Sequence, residues 1–177
     1  MSPTDVAQDR LAGTWNYAPV HSSAEFSVKY LVANFRGRFD EFEASLEDGK
    51  LSGTVKVASV SVKDEQLIGH ILSPDFFDAE ANPTITFESS SIDIDGDKVE
   101  LDGELTLKGN TKPIHATGSV AGPTEGAFGE TRLGFTLETT LDRTEYGLEW
   151  NADLPAGGKA LSNDVKLTVE LEFHKAD

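Results

Sequence analysis

Few side chains in this sequence could do chemistry, and they are scattered. The four histidines, His21, His70, His115 and His174, lie far apart. Metal sites usually draw ligands from short, fixed spacings, such as two histidines one helical turn apart. No such pair occurs, so no metal is expected. The chain has no cysteine, which removes disulfides, thiolate nucleophiles and zinc–thiolate sites. It shows no nucleophile elbow, phosphate-cradling loop or dinucleotide fingerprint, so no catalytic residue and no cofactor is assigned. Two places remain. His70 sits on a helical pattern beside Ile71 and near an aromatic pair, as a polar helix edge or as a ligand contact. Arg143 and Glu145 follow an apolar strand. An arginine there either ties a loop to the body of the fold or binds an anionic headgroup.

These residues depend on two kinds of element. The first is an insert at residues 63–87. Leu67, Ile68, Ile71 and Leu72 recur at helical spacing. Ser73-Pro74 ends that helix and starts a further turn, which presents Phe76 and Phe77 side by side. Adjacent aromatics on a turn diverge, so one is expected to face inward and the other to wedge elsewhere.

The second is a series of strands. Ala24, Phe26, Val28 and Tyr30 alternate with Glu25, Ser27 and Lys29, giving one apolar and one wet face. Phe35, Gly37 and Phe39 continue in phase. Leu51, Gly53, Val55 and Val57 share a face, and the phase then shifts to Val60 and Val62, which predicts a bulge near Ala58-Ser59. Further strands are expected over 84–94, 98–107, 112–120, 132–141 and 164–173, with tight turns at Asp48-Gly49, Asp95-Gly96-Asp97 and Lys108-Gly109-Asn110. Residues 121–130 read as a glycine-rich loop and residues 1–13 as a tail. Roughly eight or nine short antiparallel strands argue for a barrel or sandwich. Ala24, Gly37, Gly53, Gly103, Ala116 and Gly118 all fall in the apolar phase. Such small inward residues leave volume unfilled, which favours a barrel with a cavity.

The chain of 177 residues suits one domain, from residue 14 to 177 after the tail. Its formal net charge of −16 repels phosphate backbones and anionic headgroups, so nucleic acid is not an expected partner. No apolar run approaches a membrane span, and stable membrane insertion is not expected. The first residues lack the apolar segment of a signal peptide. The expected location is cytoplasmic, or periplasmic or secreted if a leader is missing from the chain as given.

Six segments occur in order: HSSAEFSV (21–28), GRF (37–39), GHILSPDFFD (69–78), PTITF (83–87), GELTLKGNTKP (103–113) and DRTEYGL (142–148). Together they resemble the YceI-like family of lipocalin-like barrels, over about residues 15–173. The resemblance implies an all-β fold, an eight-stranded antiparallel barrel with a short helical insert around residues 63–78 and an elongated apolar cavity. It implies binding, transport or sequestration of a long-chain isoprenoid or similar amphiphilic lipid, of the polyprenyl phosphate or quinone type, by a protein that is not an enzyme. This sequence departs from the family in carrying Tyr30 where members often have a histidine.

The expected cavity wall comprises Phe26, Val28, Tyr30, Phe39, Leu67, His70, Ile71, Phe76, Phe77, Phe87, Leu105, Phe135, Leu137 and Arg143, with the insert as a lid. A homodimer formed through an exposed edge or an open mouth is left open. Two other readings stay in view. One is an enzyme acting on an apolar substrate through His70, Arg143 and Glu145. The other is a structural or stress-related domain with a packed interior.

Overall fold

The structure is a computed structural model and describes Asp5 and residues 9–176. Eight antiparallel strands follow one another around a closed barrel. Three of them are broken by a kink. Strand β1 comprises Thr14–Tyr17 and Ser23–Tyr30, β2 comprises Ala33–Phe39 and Phe42–Glu47, and β3 comprises Lys50–Lys56 and Val60–Val62. The rest are continuous: β4 (Thr84–Asp95), β5 (Lys98–Leu107), β6 (Asn110–Glu125), β7 (Thr131–Asp142) and β8 (Leu161–Lys175). Each strand pairs with its successor, and β8 closes the ring onto β1 through Val169↔Ala24 and Phe173↔Tyr17. Among the described residues, closure leaves no long free edge for another chain to extend.

The breaks have local causes. Pro19 cannot continue the ladder of β1, and a short 3-10 turn over Pro19–His21 bridges its two halves. The expected bulge at Ala58-Ser59 is instead a 3-10 turn, Val57–Ser59. It swings the end of β3 onto β2, where Gly37 faces Val62. The Asp48-Gly49 hairpin has positive φ at both central residues, 47° and 81°, which is the turn that matches the twist of paired strands. The glycine-rich stretch at 121–130 is shorter as a loop than expected, because β6 runs on to Glu125 and pairs it with Thr131.

One end of the barrel is packed shut. Trp15, Leu46, Ile94, Val99, Leu133, Phe135 and Phe173 meet there with Leu11. Part of the expected tail, residues 1–4 and 6–8, lies outside the described residues. Leu11, however, is fully buried, and Arg10 donates to the carbonyls of Gly96 and Gly122, each at 2.5 Å. The folded unit therefore begins before residue 14.

A charged cluster pins the seam near this end. The Glu172 carboxylate on β8 takes His21 Nδ1 at 3.0 Å and His174 Nε2 at 3.1 Å, with Arg132 Nη1 at 3.6 Å. The His21 bond above all holds its carboxyl below the ordinary value of 4.5. A carboxyl lowered by folding binds protons more readily in the unfolded chain. Its stabilisation is complete above about pH 4.5 and is lost as pH falls through the lowered folded value. Glu172→Gln should therefore flatten the acid side of a plot of Tm against pH, leaving a smaller loss below about pH 4.5 than in the parent.

Candidate lipid cavity

The other end of the barrel encloses a cavity of about 490 Å³, within the range of small-molecule sites. Its wall is almost wholly apolar. Phe26 and Val28 reach it from β1, Phe39 from β2, Phe87 from β4, Leu105 from β5 and Leu137 from β7. Alternation puts each on the inner face. Tyr30 also lines it but stands at the rim, 44% exposed. Phe135, expected on the wall, is not there. It shares an inner face with Leu137 but sits one pair nearer the shut end, where it packs edge-on to Phe173 at 6.3 Å.

The insert covers the open end. Asp64 caps a 3-10 turn, Glu65–Leu67, by accepting from the Gln66 N–H at 3.1 Å. Helix α1 (Ile68–Leu72) follows and ends at Ser73. Ile71 is buried against Phe39, Val60 and Val62, while Leu67 lines the cavity and stays partly exposed.

The aromatic pair diverges as expected, but both rings reach the wall. Phe77 meets Phe39 edge-on at 5.8 Å. Phe76 lies 5.0 Å from His70 and 5.4 Å from Trp150. His70 also lines the cavity, and its Nε2 is engaged by Asp75 at 3.0 Å. Lys108 Nζ fastens the lid by donating to the carbonyls of Pro74 at 2.8 Å and Gly147 at 3.2 Å. A half-buried Phe contributes about 1–2 kcal/mol by burial. Phe76→Ala should therefore lower stability by about that much while speeding release of a bound lipid by more, about a hundredfold or roughly 2.8 kcal/mol, as followed by transfer to acceptor vesicles. Equal free-energy losses in both measurements would make Phe76 ordinary packing.

Arg143 is 3% exposed and lines the cavity. It opens a 3-10 turn, Arg143–Tyr146, whose N-cap Asp142 accepts from the Thr144 N–H at 2.9 Å and from the Thr144 hydroxyl at 2.5 Å. Gly147 ends the turn at φ 84°, in the left-handed region. The guanidinium binds backbone rather than a carboxylate. Nε donates to Ser162 O at 2.9 Å, and Nη1 to Leu148 O at 2.6 Å and Trp150 O at 2.8 Å. These bonds tie residues 148–150 and the start of β8 to the barrel wall. Nη2 is buried with no hydrogen-bond partner among the described residues. Burial pushes the Arg143 pKa down, opposed by the nearby Asp142 charge. The Thr144 hydroxyl, then its N–H, hold Asp142 below its ordinary value.

Of the three polar residues that an enzyme would use, His70 and Arg143 both line the cavity, whereas Glu145 is exposed and away from the wall. Sequence patterning missed Trp150, which lines the cavity and stands edge-on to His70 at 4.8 Å. It lies in an irregular stretch where no period marks its face. Among the described residues no three His, Cys, Asp or Glu side chains converge on a metal position. Nor is any described helix long and apolar enough to cross a membrane.

A closed eight-stranded barrel, shut at one end and lidded over an apolar cavity at the other, defines a lipocalin-like protein. The chain belongs to the YceI-like family, whose domain model matches residues 15–173. A UPF0312 protein of Staphylococcus aureus strain N315 is 32% identical over 165 residues, covering 86% of this chain and 92% of that protein. The Campylobacter jejuni YceI protein superposes with a TM-score of 0.69 at 26% identity, covering 82% of this chain and 88% of that one. A polyisoprenoid-binding domain from Saccharophagus degradans, implicated in plant cell wall breakdown, shares the fold with a TM-score of 0.70 at 14% identity. It covers 92% of this chain and 98% of its own.

Proposed function

We propose that the protein binds a long-chain isoprenoid or similar amphiphilic lipid inside the barrel and carries or sequesters it without chemical change. The observation that carries this reading is the cavity itself, a lumen of about 490 Å³ walled by side chains from nearly every strand and almost bare of polar groups. A hydrocarbon chain offers no hydrogen bonds, so its binder needs a dry, elongated lumen and little else. Burying one five-carbon isoprene unit contributes on the order of 3–4 kcal/mol, at roughly 0.8 kcal/mol per carbon group. Ordering the flexible chain offsets much of that, so affinity should climb with chain length until the lumen is full. The polyisoprenoid-binding domain from Saccharophagus degradans, with the same fold, supports the ligand class. The test is native mass spectrometry and lipid extraction of protein purified from its own host, followed by binding of labelled prenyl chains of increasing length. Empty protein that takes up none of the chains would overturn the proposal.

A further inference from the structure

Arg143 brings a cation into a wall that is otherwise apolar. It is almost wholly buried and lines the cavity. Arginine stays protonated at neutral pH, so the charge is permanent. Of the other arginines on the barrel, Arg38 and Arg132 form ion pairs with Asp40, Glu130 and Glu172, and Arg36 is exposed to water. Arg143 has no ion pair of that kind among the described residues. Asp142, next to it in the chain, spends its carboxylate on Thr144.

Tying down residues 148–150 accounts for Nε and Nη1. It leaves Nη2 with an unspent N–H and leaves the charge with the nearby Asp142 carboxylate, which is hydrogen-bonded to Thr144 and makes no ion pair with it. A buried donor without an acceptor is unfavourable, and an unpaired buried charge more so. A neutral carbonyl or hydroxyl would satisfy the N–H alone, whereas an oxyanion would satisfy both. The position also matters. Trp150 and the His70–Phe76 pair place Arg143 at the lidded end, while Ala116 and Leu171 continue the apolar wall toward the shut end.

We propose that Arg143, by turning its covered Nη2 toward the lumen, binds the oxyanion headgroup of the cavity lipid, a phosphate or a carboxylate, and that the lipid lies tail-first with its head beneath the lid. This inference rests on the carrier reading and adds the chemistry of the head and its direction.

The test holds the tail constant and varies the head. Geranylgeranyl phosphate, geranylgeranoic acid, geranylgeraniol and the matching hydrocarbon are titrated into the intact protein. Binding is read by tryptophan fluorescence, because Trp150 stands beside the site. At least one anionic head should bind roughly tenfold or more tighter than the alcohol and the hydrocarbon. The better of the two anions identifies the head class. Arg143→Lys, which keeps the charge but not the fork, should retain part of that preference. Arg143→Met should erase it while tail affinity remains. Arg143→Met also removes the bonds to Ser162, Leu148 and Trp150, so the head series on the parent protein decides the matter without it. Equal affinity for all four heads would overturn the headgroup site and leave the carrier reading standing. Failure of every chain to bind would overturn both.

Discussion

Replacing Ala24 and Ala116 together by Phe should weaken binding of a long prenyl chain by about a hundredfold and leave the barrel folded. Both alanines line the cavity. They enter it from well-separated strands, β1 and β6, paired with Val169 and Leu101 respectively. Two phenyl rings projected from these walls would divide the lumen and shut the tail out of its inner part. Excluding one isoprene unit removes on the order of 3–4 kcal/mol of burial before the lower cost of ordering a shorter chain is credited. A loss of about a hundredfold in affinity is a conservative expectation. Enlarging a side chain in a packed core usually costs stability, but here the added atoms enter open volume. The melting temperature should therefore stay near that of the parent or rise. The measurement is a chain-length series titrated into parent and variant, with circular dichroism as the check on folding. In the parent, affinity should grow with length; in the variant, that growth should stop early. A variant that keeps the full length dependence would place the chain outside the barrel.

The strand order and the turns were legible because a half-buried strand alternates and because Asp-Gly and Lys-Gly pairs suit tight hairpins. Depth along the barrel was not. Phe135 and Leu137 read alike, since period-two alternation reports which face a side chain takes and says nothing of its height. One reaches the cavity and the other packs against Phe173. Leu11 escaped because a single apolar residue among polar neighbours makes no pattern, although it is fully buried at the shut end.

Trp150 escaped for a related reason. Residues 148–160 have no period to read, and their placement is set by Arg143 bonding the carbonyls of Leu148 and Trp150. Such bonds are invisible to any search for charge partners, because every residue offers a carbonyl. The lid was legible as a helix and an aromatic pair. Its fastening by Lys108 was not, because the lysine sits in a hairpin turn distant in sequence from Pro74.

The glycines are where sequence reasoning drew a fair conclusion from a mixed premise. As a set, the four in the apolar phase point to open volume, yet they divide into three kinds. At Gly53, which lines the cavity, an added Cβ would meet nothing nearer than the Glu43 carbonyl at 3.4 Å. At Gly37 the space belongs to the Phe26 ring, 2.4 Å from the missing Cβ, and at Gly103 to Phe87, at 2.6 Å with the Glu88 carbonyl closer still at 2.4 Å. Neighbouring aromatics cover these bare positions and complete the wall. At Gly118 a Cβ would lie 1.7 Å from the Thr136 carbonyl oxygen on the paired strand β7.

Backbone cannot rotate out of the way as a side chain can, so Gly118→Ala must open the β6–β7 ladder or shift one strand. Overpacking of this kind costs about 1–3 kcal/mol and more where the surroundings are rigid, so a loss of about 3 kcal/mol or greater is expected. Gly53→Ala should instead fall within about 0.5 kcal/mol of the parent, because in a strand Ala loses less chain entropy than Gly on folding. Urea unfolding of the two variants separates the cases. Two equal losses would mean that close strand approach is not what holds Gly118. A loss at Gly118 alone would show that a glycine on the inner face of this barrel can serve the ladder as well as the lumen, so that only the neighbouring strand decides which.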